Sequence, residues 1–266
     1  MKMTIPWQLQ IYQNSFKKKE KIKTIDRYIG ELRDSTCLEI GCDKGVTSYF
    51  LRKKGGWWVS TDIDYANVKI TQEIIDKNLL RIGEDSLPFL SDSFDYVIGI
   101  DTLEHIEDDG GFLKEIHRVM KKNGTLCITV PCSEKKLILN RISKKIGMTN
   151  EYYGHKRAGY TEKNLSHLLE KNGFKVLRHD YFSRFFTEGI ELAINFFYVF
   201  ILNKGLKKKG VKGSISPSSQ KDFNVHSTAF RLFLIIYPLL NGFLRLERIF
   251  NISLGYCLIL EAEKKQ

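Results

Sequence analysis

Apolar residues along this chain come in short continuous runs, separated by stretches where they recur every third or fourth position. The runs "CLEI" (37–40), "WWVSTDID" (57–64), "LLRIG" (79–83), "FDYVIGID" (94–101) and "TLCITVP" (125–131) have strand length. A continuous apolar run is expected of a strand covered on both faces. Ile22, Ile25, Ile29 and Leu32 share one helical face and predict an amphipathic helix ahead of the first strand. Helices are predicted from Gly45 to about Lys54, over "YANVKITQEIIDKN" (65–78), and over "DGGFLKEIHRVMKKNG" (109–124), where Asn123-Gly124 supplies the stop. Strand and helix alternate in this way up to Pro131. That pattern predicts βαβ units, a parallel sheet and right-handed crossovers with helices on both faces.

Beyond Pro131, "YTEKNLSHLLEKNG" (160–173) predicts a helix with Thr161 as N-cap and Gly173 closing it. Two more strands are expected, "FKVLRHDYF" (174–182) and "LGYCLILEAEKK" (254–265). The segment between them breaks the rhythm. "GIELAINFFYVFILNKG" (189–205) and "TAFRLFLIIYPLLNGFLRLERIFN" (228–251) are strongly apolar, and "LKKKGVKGSISPSSQKD" (206–222) between them is basic and turn-rich, as a mobile loop would be. The expected organisation is therefore one domain made of 1–182 plus 251–266, with 1–34 as its N-terminal helical part, and a helical insertion over 183–250.

Leu232–Leu244, about thirteen uncharged residues, would reach ~20 Å as a helix, short of a ~30 Å hydrocarbon core. Neither apolar run of the insertion spans a bilayer. Two readings of it stay open. Beside Lys204, Lys207, Lys208, Lys209 and Lys212 it suits peripheral contact with an anionic membrane, and equally it suits a cap over an apolar substrate cleft or a dimer interface.

Composition narrows the picture only slightly. A hydrophobic fraction of 42% supports a real core in 266 residues. The net charge of +11 favours polyanions and anionic surfaces at long range and says nothing about fold. Five cysteines without a C-x-x-C, three of them in strand runs (Cys37, Cys127, Cys257), read as buried reduced thiols. The first twenty residues carry no continuous apolar segment before a small-residue cleavage site, so a cytoplasmic protein is expected, with attachment at the inner face of the membrane as the variant. The six histidines are scattered without H-x₃-H or Cys/His spacing, and the sequence supports no metal site.

The candidate chemistry starts at "CLEIGCDKG" (37–45). Past the first strand of an open parallel sheet, glycine lets backbone approach a ligand. A G-x-G-x-x-G fingerprint from Gly41 would need glycine where Asp43 and Val46 stand, and no G-x-x-x-x-G-K-[ST] exists. Asp43 would also repel a pyrophosphate. A nucleoside ligand that carries positive charge fits better. It requires an acid at the end of the second strand for the ribose hydroxyls, where Asp62 stands about twenty residues past Gly41. Asp64 is better spaced to cap the following helix, which leaves Asp62 for the ligand.

"LEIGCDKG" (38–45), "STDID" (60–64), "LPFLSDSFDYVIGIDTLEHI" (87–106), "HRVMKKNGTLCITVP" (117–131) and "LLEKNGFKV" (168–176) occur in the order and approximate spacing of one family. On these residues the chain resembles the class I S-adenosylmethionine (SAM)-dependent methyltransferases, in the methyltransferase type 11-like branch with an "LPF…SFD…LEH" signature. The resemblance implies a Rossmann-like, doubly wound α/β fold with a seven-stranded, mostly parallel sheet, and SAM as cofactor. It implies a methionine-side loop of Glu39, Gly41, Cys42, Asp43 and Gly45, although the family often has glycine where Asp43 stands. Asp62 would bind the ribose, Ile63 and Leu87 would flank the adenine, Glu84 or Asp85 would meet its amino group, and Asp101 would face the reaction centre.

The implied activity is methyl transfer to a small-molecule acceptor, lipid-linked or otherwise apolar, by in-line displacement. An RNA methyltransferase and a non-catalytic SAM-binding protein of the same fold are the alternatives, and no RNA-binding module or aromatic-basic platform favours nucleic acid. Where the acceptor needs a base, His105 in "LEHI" and His155 in "YYGHKRAGY" are the candidates. Cys132 in "VPCS" lacks the Pro-Cys after strand four that a cysteine-nucleophile methyltransferase would place there.

Overall fold

In the computed structural model, residues 5–197, 217, 219–225, 227–244 and 254–265 are described. Two helices come first, α1 (Trp7–Gln13) and α2 (Phe16–Tyr28). The strands are β1 (Thr36–Ile40), β2 (Trp57–Asp62), β3 (Leu79–Arg81), β4 (Phe94–Ile100), β5 (Met120–Pro131), β6 (Phe174–Phe182) and β7 (Cys257–Lys264). They form one sheet in the order β3-β2-β1-β4-β5-β7-β6. β7 runs antiparallel to β5 and β6, and the other neighbours are parallel. The sheet is the expected seven-stranded α/β one. The chain builds outward from β1 to β3 on one side, then returns to start β4 on the other. The crevice beyond the ends of β1 and β4 is thus the topological switch point, where such sheets bind ligands.

Between these strands lie α3 (Val46–Leu51), α4 (Tyr65–Thr71), α5 (Asp109–Val119), α6 (Ile138–Lys145), α7 (Asn150–Tyr153) and α8 (Glu162–Lys171). Strand alternation sorts the core onto two faces. Leu38, Val97, Leu126 and Leu258 point to one face, against Phe112, Leu113 and Ile116 of α5 and Leu165 and Leu169 of α8. Cys37, Tyr96, Cys127 and Ile259 point to the other, against Ile25 and Tyr28 of α2 and Leu51 of α3. All five cysteines are free and buried.

The caps follow the sequence expectation. Asp64 accepts from the Ala66 N–H at 2.8 Å, and Thr161 from the Asn164 N–H at 3.2 Å. Gly173 takes φ +88° just past α8. Two helices are shorter than predicted. α4 ends at Thr71, and a turn carries the chain to β3. α5 ends at Val119 because Met120, fully buried, joins the sheet opposite Phe94, and Asn123 with Gly124 then bends the strand rather than stopping the helix.

Among the described residues of 183–250 there are three helices, α9 (Phe185–Phe196), α10 (Gln220–Val225) and α11 (Ser227–Leu244). Most of the predicted basic loop lies outside the described residues. α11 packs onto α2, with Tyr237 stacked on Phe16 at 4.4 Å between ring centroids and its hydroxyl accepting from Lys19 at 2.9 Å. No helix among the described residues is long and apolar enough to cross a membrane.

Candidate active site

β1 delivers the loop 41–45 to the switch point in a conformation that only some residues tolerate. Gly41 (φ +89°) lies so close to β4 that a Cβ would collide with the Ile100 carbonyl and the Thr102 hydroxyl. Gly45 (φ +79°) caps α3, and Asp43 is also left-handed at φ +46°. Asp43 thus adopts the backbone that a glycine would take most easily, at a cost a short polar side chain partly offsets.

Asp62 ends β2 with 5% exposure and clamps this loop from beneath. One carboxylate oxygen accepts from the Asp43 N–H at 2.9 Å, and the other from the Asp64 N–H at 2.9 Å and the Asn67 amide at 3.2 Å. Burial nonetheless raises its pKa, against those donors. Glu39 and Cys42 are buried beneath the loop. Burial pushes the Glu39 carboxyl up to about 7, opposed by the hydroxyls of Ser48 and Ser60 and the charge of Arg52. The Cys42 thiol receives Thr71 Oγ1 at 3.6 Å. These two side chains shape the turn from below.

Asp101, just past β4, is held at φ +45° by Thr129, whose hydroxyl donates to Oδ1 at 2.8 Å and whose carbonyl accepts from the Asp101 N–H at 2.9 Å. Its other oxygen is ion-paired with Lys21 of α2. Burial opposes the Asp101 charge, but the pairing wins and its pKa falls. At Asp43, exposed on the turn, the charges of Lys44, Lys18 and Lys21 lower the pKa. Acids at the ends of β1, β2 and β4 thus stand along the same edge of the sheet, and lysines from α2 and from the loop balance two of them.

The "LPF" segment is pinned to α5. Arg118 donates to the Leu87 and Phe89 carbonyls at 2.9 and 2.8 Å, and Glu115 accepts from the Leu87 N–H at 3.0 Å. Leu87 is buried and Ile63 partly buried in the same core, whereas Glu84 and Asp85 lie exposed in the turn after β3. Asp95 of "SFD" holds the start of β1 through the Thr36 N–H and hydroxyl at 2.8 and 2.7 Å.

Fifty residues apart in sequence, the two candidate bases meet. His105 and His155 stand edge to face, 4.7 Å between ring centroids. Burial, then His105, pushes the His155 pKa down to about 4. A base this weak is poorly matched to proton abstraction near neutral pH. The loop that carries His155 is fastened to the β4–α5 connection. The Lys156 N–H donates to the Glu104 carbonyl at 2.8 Å. Arg157 donates to the Ile106 and Glu107 carbonyls at 2.9 and 2.8 Å and to Tyr160 at 2.8 Å, and it is ion-paired with Asp109. A cavity of about 290 Å³ opens beside this loop, lined by Pro131, Ser133, Leu137, Met148, Tyr153 and His155. Cys132 is buried and its thiol pushed up to about 11, so it stays protonated.

Sequence reasoning passed over Lys21, Glu104 and Arg157. The signal for Glu104 was an acid inside the apolar stretch "IDTLEHI"; Lys21 and Arg157 gave none, because their partners are remote in sequence.

The seven-stranded order with an antiparallel β7, and a switch-point loop flanked by acids after β2 and β4, define a nucleoside-binding α/β fold of the class I methyltransferase type. The comparisons agree. Residues 14–179 match the model of the methyltransferase-domain family, and the chain belongs to that family. S-adenosylmethionine is the cofactor the family implies. The ubiquinone biosynthesis O-methyltransferase of Pelagibacter ubique (strain HTCC1062) is 28% identical over 127 residues, covering 46% of this chain and 52% of that one. The mitochondrial arginine-hydroxylase NDUFAF5 of Rattus norvegicus is 30% identical over 201 residues, 72% of this chain and 56% of that one. The chain thus spans about half the length of the curated relatives it matches. A SAM-dependent methyltransferase structure from Archaeoglobus fulgidus superposes with a TM-score of 0.58 at 16% identity, covering 98% of this chain and 100% of that one, a likeness of fold.

The donor set fits SAM. Its sulfonium and ammonium are cations, and the crevice presents Asp43, Asp62 and Asp101, two of them already balanced by lysine ammonium groups. A pyrophosphate would meet the wrong charge.

Proposed function

We propose that this chain transfers a methyl group from SAM to a small-molecule acceptor by direct displacement, and that the acceptor is apolar or lipid-linked. The observation that carries the reading is the convergence of loop 41–45, Asp62 and Asp101 on the switch point. In this reading Asp62 receives the ribose hydroxyls and Asp101 the methionine end, with Ile63 and Leu87 beside the adenine and Glu84 or Asp85 at its rim. Gly41, Asp43 and Gly45 bring backbone to the amino-acid moiety, and Glu39 and Cys42 support that turn. SAM supplies an electrophilic methyl group, and the protein's task is alignment of the acceptor on its far side.

The cavity beside Tyr153 and His155 would seat that acceptor. At about 290 Å³ it suits a compact group or one end of a longer molecule. The outer face of α11 carries Ile235 and Leu239 at 74% and 77% exposure, four residues apart on one helical face. Together with the lysines at 204–212 of the sequence, this favours peripheral contact of 183–250 with an anionic membrane, from which a lipid-like acceptor would be taken.

Calorimetry with SAM tests the premise. Wild type should bind one equivalent and Asp62→Ala should bind at least tenfold more weakly, whereas a silent wild type or an unaffected variant would sink it. Methyl-labelled SAM with lipid and water-soluble extracts then identifies the acceptor. The hydroxylase among the relatives motivates a second reading, and product mass separates the two, since an added methylene and an added oxygen differ.

A further inference from the structure

Glu104 is fully buried, and neither of its carboxylate oxygens has a hydrogen-bond partner among the described residues. A dry, unpartnered carboxylate costs several kcal/mol unless it is neutralised or meets a cation. The neighbouring protein cations are spent elsewhere, Lys21 on Asp101 and Arg157 on Asp109, Tyr160 and two carbonyls. What does lie beside Glu104 is a pair of imidazoles. One ligand atom each of Glu104, His105 and His155 lies within 4.8 Å of the others.

We propose that Glu104, His105 and His155 form a binding site for a divalent first-row transition-metal ion. Two imidazole nitrogens and one carboxylate suit zinc, manganese, iron(II) or cobalt rather than calcium or magnesium, which favour oxygen donors. Bonds of ~2.0–2.2 Å place ligand atoms roughly 3–3.5 Å apart, so closing on an ion requires a small inward movement of the ligands, for which the two partly exposed rings have room. The surrounding contacts are those a metal site uses to hold its ligands. His105 Nδ1 lies 3.2 Å from the Gly154 carbonyl, so this nitrogen carries the proton and Nε2 is left to coordinate. The Lys156 N–H on the Glu104 carbonyl and the Arg157 clamp fix the loop that carries His155.

Three protein ligands leave positions open on the ion. One of the ligands, His155, also lines the cavity assigned above to the acceptor. On that reading, and resting on it, the ion would bind an acceptor oxygen and favour its deprotonated form, which gives the two histidines a task other than direct proton abstraction. The acceptor class is then one with a hydroxyl or carboxylate oxygen at the reacting end.

The test uses the full chain stripped with a chelator and dialysed against Co²⁺ or Zn²⁺. Wild type should retain one ion per chain, and the Co²⁺ form should show visible absorption bands of a histidine-ligated ion. Glu104→Gln and His155→Gln should each weaken retention at least tenfold, with thermal melts confirming folding, while His167→Ala, on the exposed side of α8, retains it. If Glu104→Gln fails to fold, His155→Gln at its partly exposed position decides alone. A wild type that keeps no ion, or variants that bind as well as wild type, would overturn the site and leave a protonated Glu104 in its place. SAM calorimetry on the same metal-free sample reports separately on the methyl-donor site.

Discussion

Lys21 of α2 is ion-paired with Asp101 at the end of β4, 80 residues further along the chain. The pair places an ammonium group against the carboxylate proposed for the methionine end of SAM. Lys21 and the ligand's own cation therefore compete for one anion. Lys21→Met should tighten SAM binding about three- to tenfold, and Asp101→Asn should weaken it tenfold or more, both read by calorimetry. Weaker binding by Lys21→Met would mean that the lysine instead serves the ligand's carboxylate.

Glu39 gives a pH signature. Its carboxyl is fully buried, and burial outweighs the Ser48 and Ser60 hydroxyls, so its pKa stands at about 7 against an ordinary 4.5. The folded chain therefore holds a proton that the unfolded chain releases above pH ~4.5. Its stabilising effect is complete below that pH and is lost as pH rises through about 7. Glu39→Gln should be more stable than wild type at pH 8 by roughly 2–4 kcal/mol and lose most of that margin by pH 5. Thermal melts at both pH values check this; a margin independent of pH would count against it.

Arg157 is a positioning residue for the loop that carries His155. Arg157→Ala removes donors to two carbonyls and to Tyr160 and leaves Asp109 without its partner, at a cost of ~2–4 kcal/mol. Hydrogen exchange should rise over 154–160 while the strands keep their protection. Arg157→Lys should recover part of the stability, because one ammonium cannot serve every acceptor of the guanidinium. Equal protection of that loop in Arg157→Ala and wild type would refute the role.

Flotation with phosphatidylserine-containing vesicles tests the membrane contact. Wild type should float, and Ile235→Glu with Leu239→Glu should stay at the bottom with an unchanged melt, since both side chains face solvent. A wild type that never floats would leave 183–250 as a cap or a dimer interface.

The central strands were legible because their runs are apolar in both registers of the strand: Cys37 and Leu38, or Tyr96 and Val97, feed opposite faces of the sheet. Parts of the signature proved to be mechanical. Asp95 and Arg118 hold backbone, with Glu115 beside Arg118, and the two signature residues were readable only as a pattern. The Glu104–His105–His155 cluster could not be read, since metal-ligand spacing rules work within one helix or hairpin. Here the ligands join only when the loop after α7 folds back on the end of β4. The end of α5 failed for a related reason, because a buried methionine answered to the sheet and not to the helix pattern.

The placement of β7 bears on how the chain comes to be folded during its synthesis. β6 pairs only with β7, and β5 reaches β6 only through it, so the β6 side of the sheet waits for β7. While the ribosome is still making 183–250, the nascent sheet has an open edge at β5, and a large apolar segment is already outside the exit tunnel. Any surface that shelters that segment in the interval, a chaperone or a bilayer, would act on assembly before the enzyme has a site to use.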